Sequence, residues 1–158
     1  MILLQKLNWS VRMKKVLSKS MIVATLALPA LVSAAPLKGL NVIITSADAQ
    51  TQMMGMVLST MSIKKHNKMV NITLCGPAGE LALKDSQSTP VKKPDGSSPT
   101  PKMALMGLMK AGAKVEVCPL YLPNAGKDKS ALVEGINVAN PGAVAGNLLD
   151  SEFNNISF

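Results

Sequence analysis

The chain has 158 residues, with 17 Lys and Arg against nine Asp and Glu, a formal net charge of +8, and two cysteines. That length allows one domain with a real core. The charge points to nucleic acid only until it is located: residues 1–34 hold five of the basic side chains and no acid, so the remainder keeps 12 basic against nine acidic residues, or +3. With no arginine and few aromatic rings left for base stacking, that remainder argues against nucleic-acid binding.

The basic residues removed in this way form a targeting pattern. Met13-Lys14-Lys15 through Lys19 is a basic n-region, Met21 to Ser33 is an apolar h-region, and Val32-Ser33-Ala34 offers small residues for cleavage. The expectation is a cleavable secretory signal peptide over residues 1–34, opening at Met1 or Met13. A cut after Ala34 is preferred, since a cut after Ala35 would set Pro36 beside the scissile bond. The apolar run falls short of the roughly 20 residues of a bilayer span and contains Pro29, so an uncleaved anchor is the weaker reading. No cysteine follows the cleavage site, which argues against a lipoprotein. The domain is then 35–158, exported to the periplasm, with no stable membrane anchor.

From Leu40 to Ser46 the chain is a β-branched run, a first strand apolar enough to be covered on both faces. Ser46 or Asp48 can cap the helix that follows. In that helix Met54, Val57, Leu58 and Met61 recur at i, i+3, i+4, i+7 and predict one buried face. Lys64, Lys65 and Lys68 collect near its end, where a helix dipole favours cations. Met69 to Cys75 is the second strand, broken by Gly76-Pro77, and a short helix over 78–84 follows.

Asp85 to Pro101 holds four prolines, four serines and one glycine, the composition of a loop. Because it leads to a helix starting above the strand tips, it predicts a mobile flap bordering any site there. The helix over 102–111 shows no polar face between Lys102 and Lys110, which predicts burial in the core or in a subunit contact. Gly112 closes it, as a glycine can in the left-handed conformation. Lys114 to Val117 alternates charged and apolar residues, the period of a short third strand. Cys118 ends that strand, and Pro119 stops the ladder. A short helix over 130–134, closed by Gly135, leads to a fourth strand over 136–139. Asn140-Pro141 is a helix start, with Asn as cap and Pro in the first turn, for a helix over 143–149. Residues 155–158 can add a short fifth strand.

Strand and helix alternate throughout, so the class is α/β: a three-layer α/β/α sandwich with a mainly parallel sheet of about five strands. Ligands of such sheets bind outside the carboxyl ends of the strands, where both Cys75 and Cys118 fall. Cys118 is the first candidate for chemistry, a thiol at the tip of a rigid element. Cys75 can be a small core residue, a resolving thiol for Cys118, or half of a disulfide with it, which export would favour. His66, the sole histidine, falls at the opposite end of the sheet and cannot complete a Cys–His dyad. Met103, Met106 and Met109 could suggest Cu(I), but their helical spacing reads as core packing. The sequence calls for no cofactor and no metal. Asn71-Ile72-Thr73 matches a glycosylation sequon but lies within the second strand, and the leader is of bacterial type.

The order of these pieces resembles the DsrE/DsrF-like sulfur-relay family. The resemblance rests on Ala-Gly-Ala-Lys-Val-Glu-Val-Cys-Pro at 111–119, Val-Ile-Ile-Thr-Ser at 42–46, Leu-Cys-Gly-Pro-Ala-Gly at 74–79, Glu-Gly-Ile-Asn-Val-Ala at 134–139, and the closing Ile-Ser-Phe. It implies a compact α/β/α sandwich assembled as a homo-oligomer, a trimer or hexamer, carrying sulfur as a persulfide on Cys118. Two departures stand out. Many relatives continue as Cys-Pro-x-Cys, whereas Tyr121 stands at the second cysteine's position, and relay members act in the cytoplasm. A non-catalytic small-molecule-binding or assembly module on the same fold is the alternative.

Persulfide chemistry needs an accessible thiolate and a neighbour that stabilises negative sulfur. Lys102, starting its helix above the strand tips, and Lys127 and Lys129, beyond the Leu122–Gly126 loop, are the expected cations. That loop is also expected to aim a helix N-terminus at the thiolate. The sulfur donor and acceptor, protein or small thiol, are not named by the sequence.

Overall fold

The computed structural model describes residues 36–158; the expected signal peptide lies outside the described residues. Five strands form one all-parallel sheet: β1 (Gly39–Ile44), β2 (Met69–Leu74), β3 (Lys114–Val117), β4 (Asn137–Val138) and β5 (Phe153–Ser157), in the order β4-β3-β2-β1-β5. The helices are α1 (Ala49–His66), α2 (Pro101–Lys110), the single turn α3 (Tyr121–Asn124) and α4 (Pro141–Leu149), with 3₁₀ turns at Gly76–Ala82 and Lys129–Ala131. The architecture is the expected α/β sandwich. Its boundaries follow local chemistry. Asp48 caps α1 by accepting from the Thr51 N–H at 2.8 Å, Thr100 caps α2, and Asn140 caps α4 with Pro141 in the first turn. Gly112, at φ +94°, closes α2 as expected.

Val42, Ile44, Val70, Ile72, Leu74, Val115 and Val117 supply the sheet's side of the core. Against them lie Met53 and Met56 of α1, Leu105 and Leu108 of α2, and Ala78, Leu81 and Ala82 of the first 3₁₀ turn. The buried face of α1 is not the expected one. Met54, Leu58 and Met61 are 52, 38 and 43 % exposed, while Gln52, Met53, Gly55, Met56 and Ser59 face the sheet. The reason is close approach. A β-carbon at Gly55 would sit 3.1 Å from Ile44 and 3.3 Å from Phe158, so small residues hold the contact face. Ser59 turns its hydroxyl back onto the Gly55 carbonyl at 2.7 Å, and Gln52 donates to the Ser46 carbonyl at 2.8 Å. Apolar residues therefore occupy both sides of α1, and periodicity alone picks the wrong one.

Nor is α2 buried all round. Leu105 and Leu108 are enclosed, but Met103 is 66 % exposed. The opposite face of the sheet departs further from the expectation for β1, because it is polar where α4 crosses it. Asn71, Asn41 and Asn155 stand side by side in register on β2, β1 and β5. Asn71 donates to Asn41 Oδ1 (2.9 Å), and Asn41 Nδ2 donates to Asn155 Oδ1 (2.9 Å) and the Asn147 carbonyl (2.7 Å). Asn155 in turn donates to the Leu148 carbonyl at 2.6 Å. The row thus bonds carbonyls in the last turn of α4, that of Asn147 accepting from the Asp150 N–H as well (3.3 Å). It also occupies the amide of Asn71, the sequon asparagine.

Candidate functional site

The carboxyl ends of the central strands are level. Ile44 pairs with Leu74 and Leu74 with Val117. One residue beyond, the Cys75 N–H donates to the Ile44 carbonyl (2.9 Å) and the Cys118 N–H to the Leu74 carbonyl (2.8 Å). Both cysteines therefore continue the ladder, although each lies just past its strand. This register sets the two α-carbons one inter-strand spacing apart, about 4.8 Å. Both thiols are free and half-buried. Burial foremost, and then the neighbouring Cys118, pushes the Cys75 thiol up to about 11. Burial therefore favours the protonated form of Cys75 at neutral pH.

The turns that follow hold the pair in place. Gly76 has φ +51°, a conformation that lets the chain leave β2 sharply into the 3₁₀ turn. After Cys118 the chain folds back at once, the Tyr121 N–H donating to the Cys118 carbonyl at 3.0 Å. The Tyr121 ring then lies flat on Gly79, where a β-carbon would overlap it. The residue in place of a second Cys-Pro-x-Cys thiol is a strut that fastens the Cys118 turn to the Cys75 turn. Burial first, and the Glu80 carboxylate second, raise the pKa of its phenol.

The cations expected to support the thiolate are employed elsewhere. Lys102 Nζ donates to the carbonyls of Leu83 (2.6 Å), Lys84 (2.8 Å) and Ser86 (3.0 Å). It therefore pins the segment leaving the 3₁₀ turn. Lys127 is exposed and borders a separate polar hollow of about 230 Å³ with Glu80, Asp85 and Ser86. Lys129 opens the three-residue turn capped by Asp128. The expected helix N-terminus is likewise not available. The helix after Cys118 is one turn long, with its first N–H already used, and the next is that three-residue turn. The neighbour of Cys118 is Cys75 itself. Sequence reasoning paired the two by topology but looked to lysines for the stabilising contact, because residue type does not reveal which carbonyls an ammonium will find.

The loop over 85–100 also has more order than its composition suggests. Val91 N–H donates to the Pro99 carbonyl (2.9 Å), Lys93 N–H to Ser97 (2.8 Å), and the Lys102 N–H to the Ser88 hydroxyl (3.3 Å). These bonds close it on itself and tie it to the start of α2. His66 is the exposed last residue of α1, just before the amino end of β2 and therefore away from the cysteines. Among the described residues no group of three or more His, Cys, Asp or Glu is placed to hold a metal ion. No described helix is long and apolar enough to cross a membrane.

No protein-family model matches the chain, and no curated protein does. Solved structures do. The YchN protein of E. coli superposes with a TM-score of 0.59 at 14 % identity, over 76 % of this chain and 99 % of that one. A protein of unknown function from Methanobacterium thermoautotrophicum, MTH1491, gives 0.55 at 14 % identity, over 77 % of this chain and 99 % of its own. At that identity the likeness shows the fold alone, and it supports the DsrE/DsrF-like resemblance at the level of the fold.

Proposed function

We propose that this protein carries sulfane sulfur, or exchanges thiols, through Cys118. The observation that carries the reading is the juxtaposition of two free, half-buried thiols at the carboxyl ends of adjacent parallel strands, where such sheets bind their ligands. Of the two, Cys75 is the thiol that burial pushes up and holds protonated. A half-buried thiol held protonated is a poor nucleophile, which leaves Cys118 as the sulfur of the pair to attack. In loading, the Cys118 thiolate attacks the terminal sulfur of a polysulfide. The adjacent S–S bond breaks, and the chain leaves one sulfur shorter with the electron pair. Mass spectrometry after treatment with inorganic polysulfide should find one added sulfur on Cys118 and none in Cys118→Ser. Equal loading of that variant would overturn the reading.

One observation favours the alternative of a non-catalytic binding module. Tyr121 fills the second cysteine's position with a ring packed on Gly79, so the site lacks that thiol. The same loading experiment decides between the two.

The homo-oligomer is part of this proposal, and it has support in exposed apolar surface. Met54, Leu58 and Met61 form a stripe along α1, and α4 has no buried residue, with Leu149 85 % exposed. Light scattering on the purified protein should give a trimer or hexamer, and a monomer at micromolar concentration would refute it. Export is proposed on the leader pattern of residues 1–34. N-terminal sequencing of a periplasmic fraction should read from Ala35, and an intact membrane-bound chain as the main species would refute that.

A further inference from the structure

We infer that Cys75 is a resolving thiol: it attacks the Cys118 persulfide, closes a Cys75–Cys118 disulfide and expels the carried sulfur as hydrogen sulfide. The inference rests on the reading of Cys118 as the sulfur acceptor and adds what becomes of the sulfur when no acceptor takes it.

Three observations carry it. The β2–β3 register, with Leu74 opposite Val117 and the Cys118 N–H still bonded to the Leu74 carbonyl, puts Cys75 and Cys118 opposite each other. One strand spacing, about 4.8 Å between α-carbons, falls inside the roughly 4.4–6.8 Å that a disulfide spans. Second, the Cys75 backbone is extended (φ −126°, ψ 158°), so its side chain projects to the same side of the sheet as its neighbour's. Third, neither thiol has another use. Both are free, and the cations expected near them are bound to backbone carbonyls or border a different hollow.

The step balances without a further reactant. Cys75 gives up its proton, and its thiolate attacks Cys118 Sγ. The S–S bond of the persulfide breaks, and the terminal sulfur departs with the electron pair as hydrosulfide, taking up the proton released by Cys75. One persulfide and one thiol become one disulfide and one hydrogen sulfide; the Cys75 sulfur is oxidised and the departing sulfur reduced. Returning to the dithiol state requires an external dithiol reductant. Because burial disfavours the Cys75 thiolate, resolution is slow at neutral pH. A loaded Cys118 therefore persists long enough for an acceptor to compete. Cys75 acts as a timer on the carried sulfur.

The test uses the reduced full-length protein, Cys75→Ser, Cys75→Ala and Cys118→Ser. Each receives one equivalent of inorganic polysulfide and is followed by non-reducing peptide mapping and a sulfide assay. In the unaltered protein the Cys118 persulfide should decay into a Cys75–Cys118 disulfide, with one sulfide released per disulfide. In both Cys75 variants the persulfide should last about tenfold longer or more, with no matching sulfide. A persulfide equally long-lived with and without Cys75, or a loaded protein that never forms the disulfide, overturns the inference while leaving Cys118 as acceptor. Loading of Cys118→Ser, or failure of the folded Cys75 variants to load, instead overturns the reading of Cys118 and the inference with it. Should the variants fold poorly, the ratio of disulfide to sulfide in the unaltered protein still decides.

Discussion

Two rows of polar side chains cross this sheet in register, and they behave oppositely. The asparagine row, Asn71–Asn41–Asn155, is closed: its amides bond to one another and to the last carbonyls of α4. Among the described residues no buried side-chain nitrogen or oxygen lacks a partner. The cysteine row at the strand tips is open, since both thiols are free and only half-buried. A satisfied row fixes architecture, because breaking it strands polar groups partly shielded from water. An open row stores little stability and leaves its sulfurs free to react. Polar residues at neighbouring strand positions are thus told apart by whether their bonding is complete.

That contrast can be broken or sharpened at several points. The largest expected effect is on reactivity. With its thiol raised to about 11 by burial and by Cys118, Cys75 is almost wholly protonated at neutral pH. Since only thiolate alkylates, its labelling rate should climb about tenfold per pH unit from pH 7 and level off near 11. Among the described residues Cys118 is the one titratable group acting on it. A flat profile over pH 7–10 would mean that Cys75 is not held protonated. Next, Asn41→Ala should cost about 2 kcal/mol in denaturant unfolding, by taking its partner from the half-buried Asn71 amide and leaving the Asn147 carbonyl with only the Asp150 N–H. The ratio of Cys118 to Cys75 labelling should not change. Cys75→Ser, on the open row, should stay within about 1 kcal/mol of the unaltered protein. If the two substitutions cost the same, the rows do not differ as described.

Gly79→Ala probes the strut between the cysteine turns. The added methyl collides with the Tyr121 ring and should cost about 2 kcal/mol while raising Cys118 accessibility to alkylation. The smallest effect belongs to the cap of α4. Asn140→Ala removes the side-chain acceptor of the Ala143 N–H and should cost about 1 kcal/mol, with no effect on either thiol.

The sequence makes some of this legible for physical reasons. Lys114–Val117 alternates at period 2 and forms a strand with those bounds. Parallel topology then places both cysteines at one end of the sheet without any contact being known. What stays hidden depends on partners. The helix α1 buries Gly55 and Ser59 because it approaches β1 closely, and no periodicity argument ranks a glycine above Met54. Lys102 looks like an anion-binding cation until the carbonyls of residues 83, 84 and 86 converge on it. The asparagine row is hidden in the same way: Asn41, Asn71 and Asn155 each fall within a strand, but only the sheet order β2-β1-β5 turns three isolated residues into a network.

The central claim, that Cys118 is the reactive thiol and Cys75 its protonated neighbour, is tested most directly by competitive alkylation. The fully reduced protein is exposed briefly to limiting iodoacetamide at pH 7, quenched and peptide-mapped. Label should collect on Cys118, with Cys75 modified more slowly. Faster labelling of Cys75 would contradict the assignment outright.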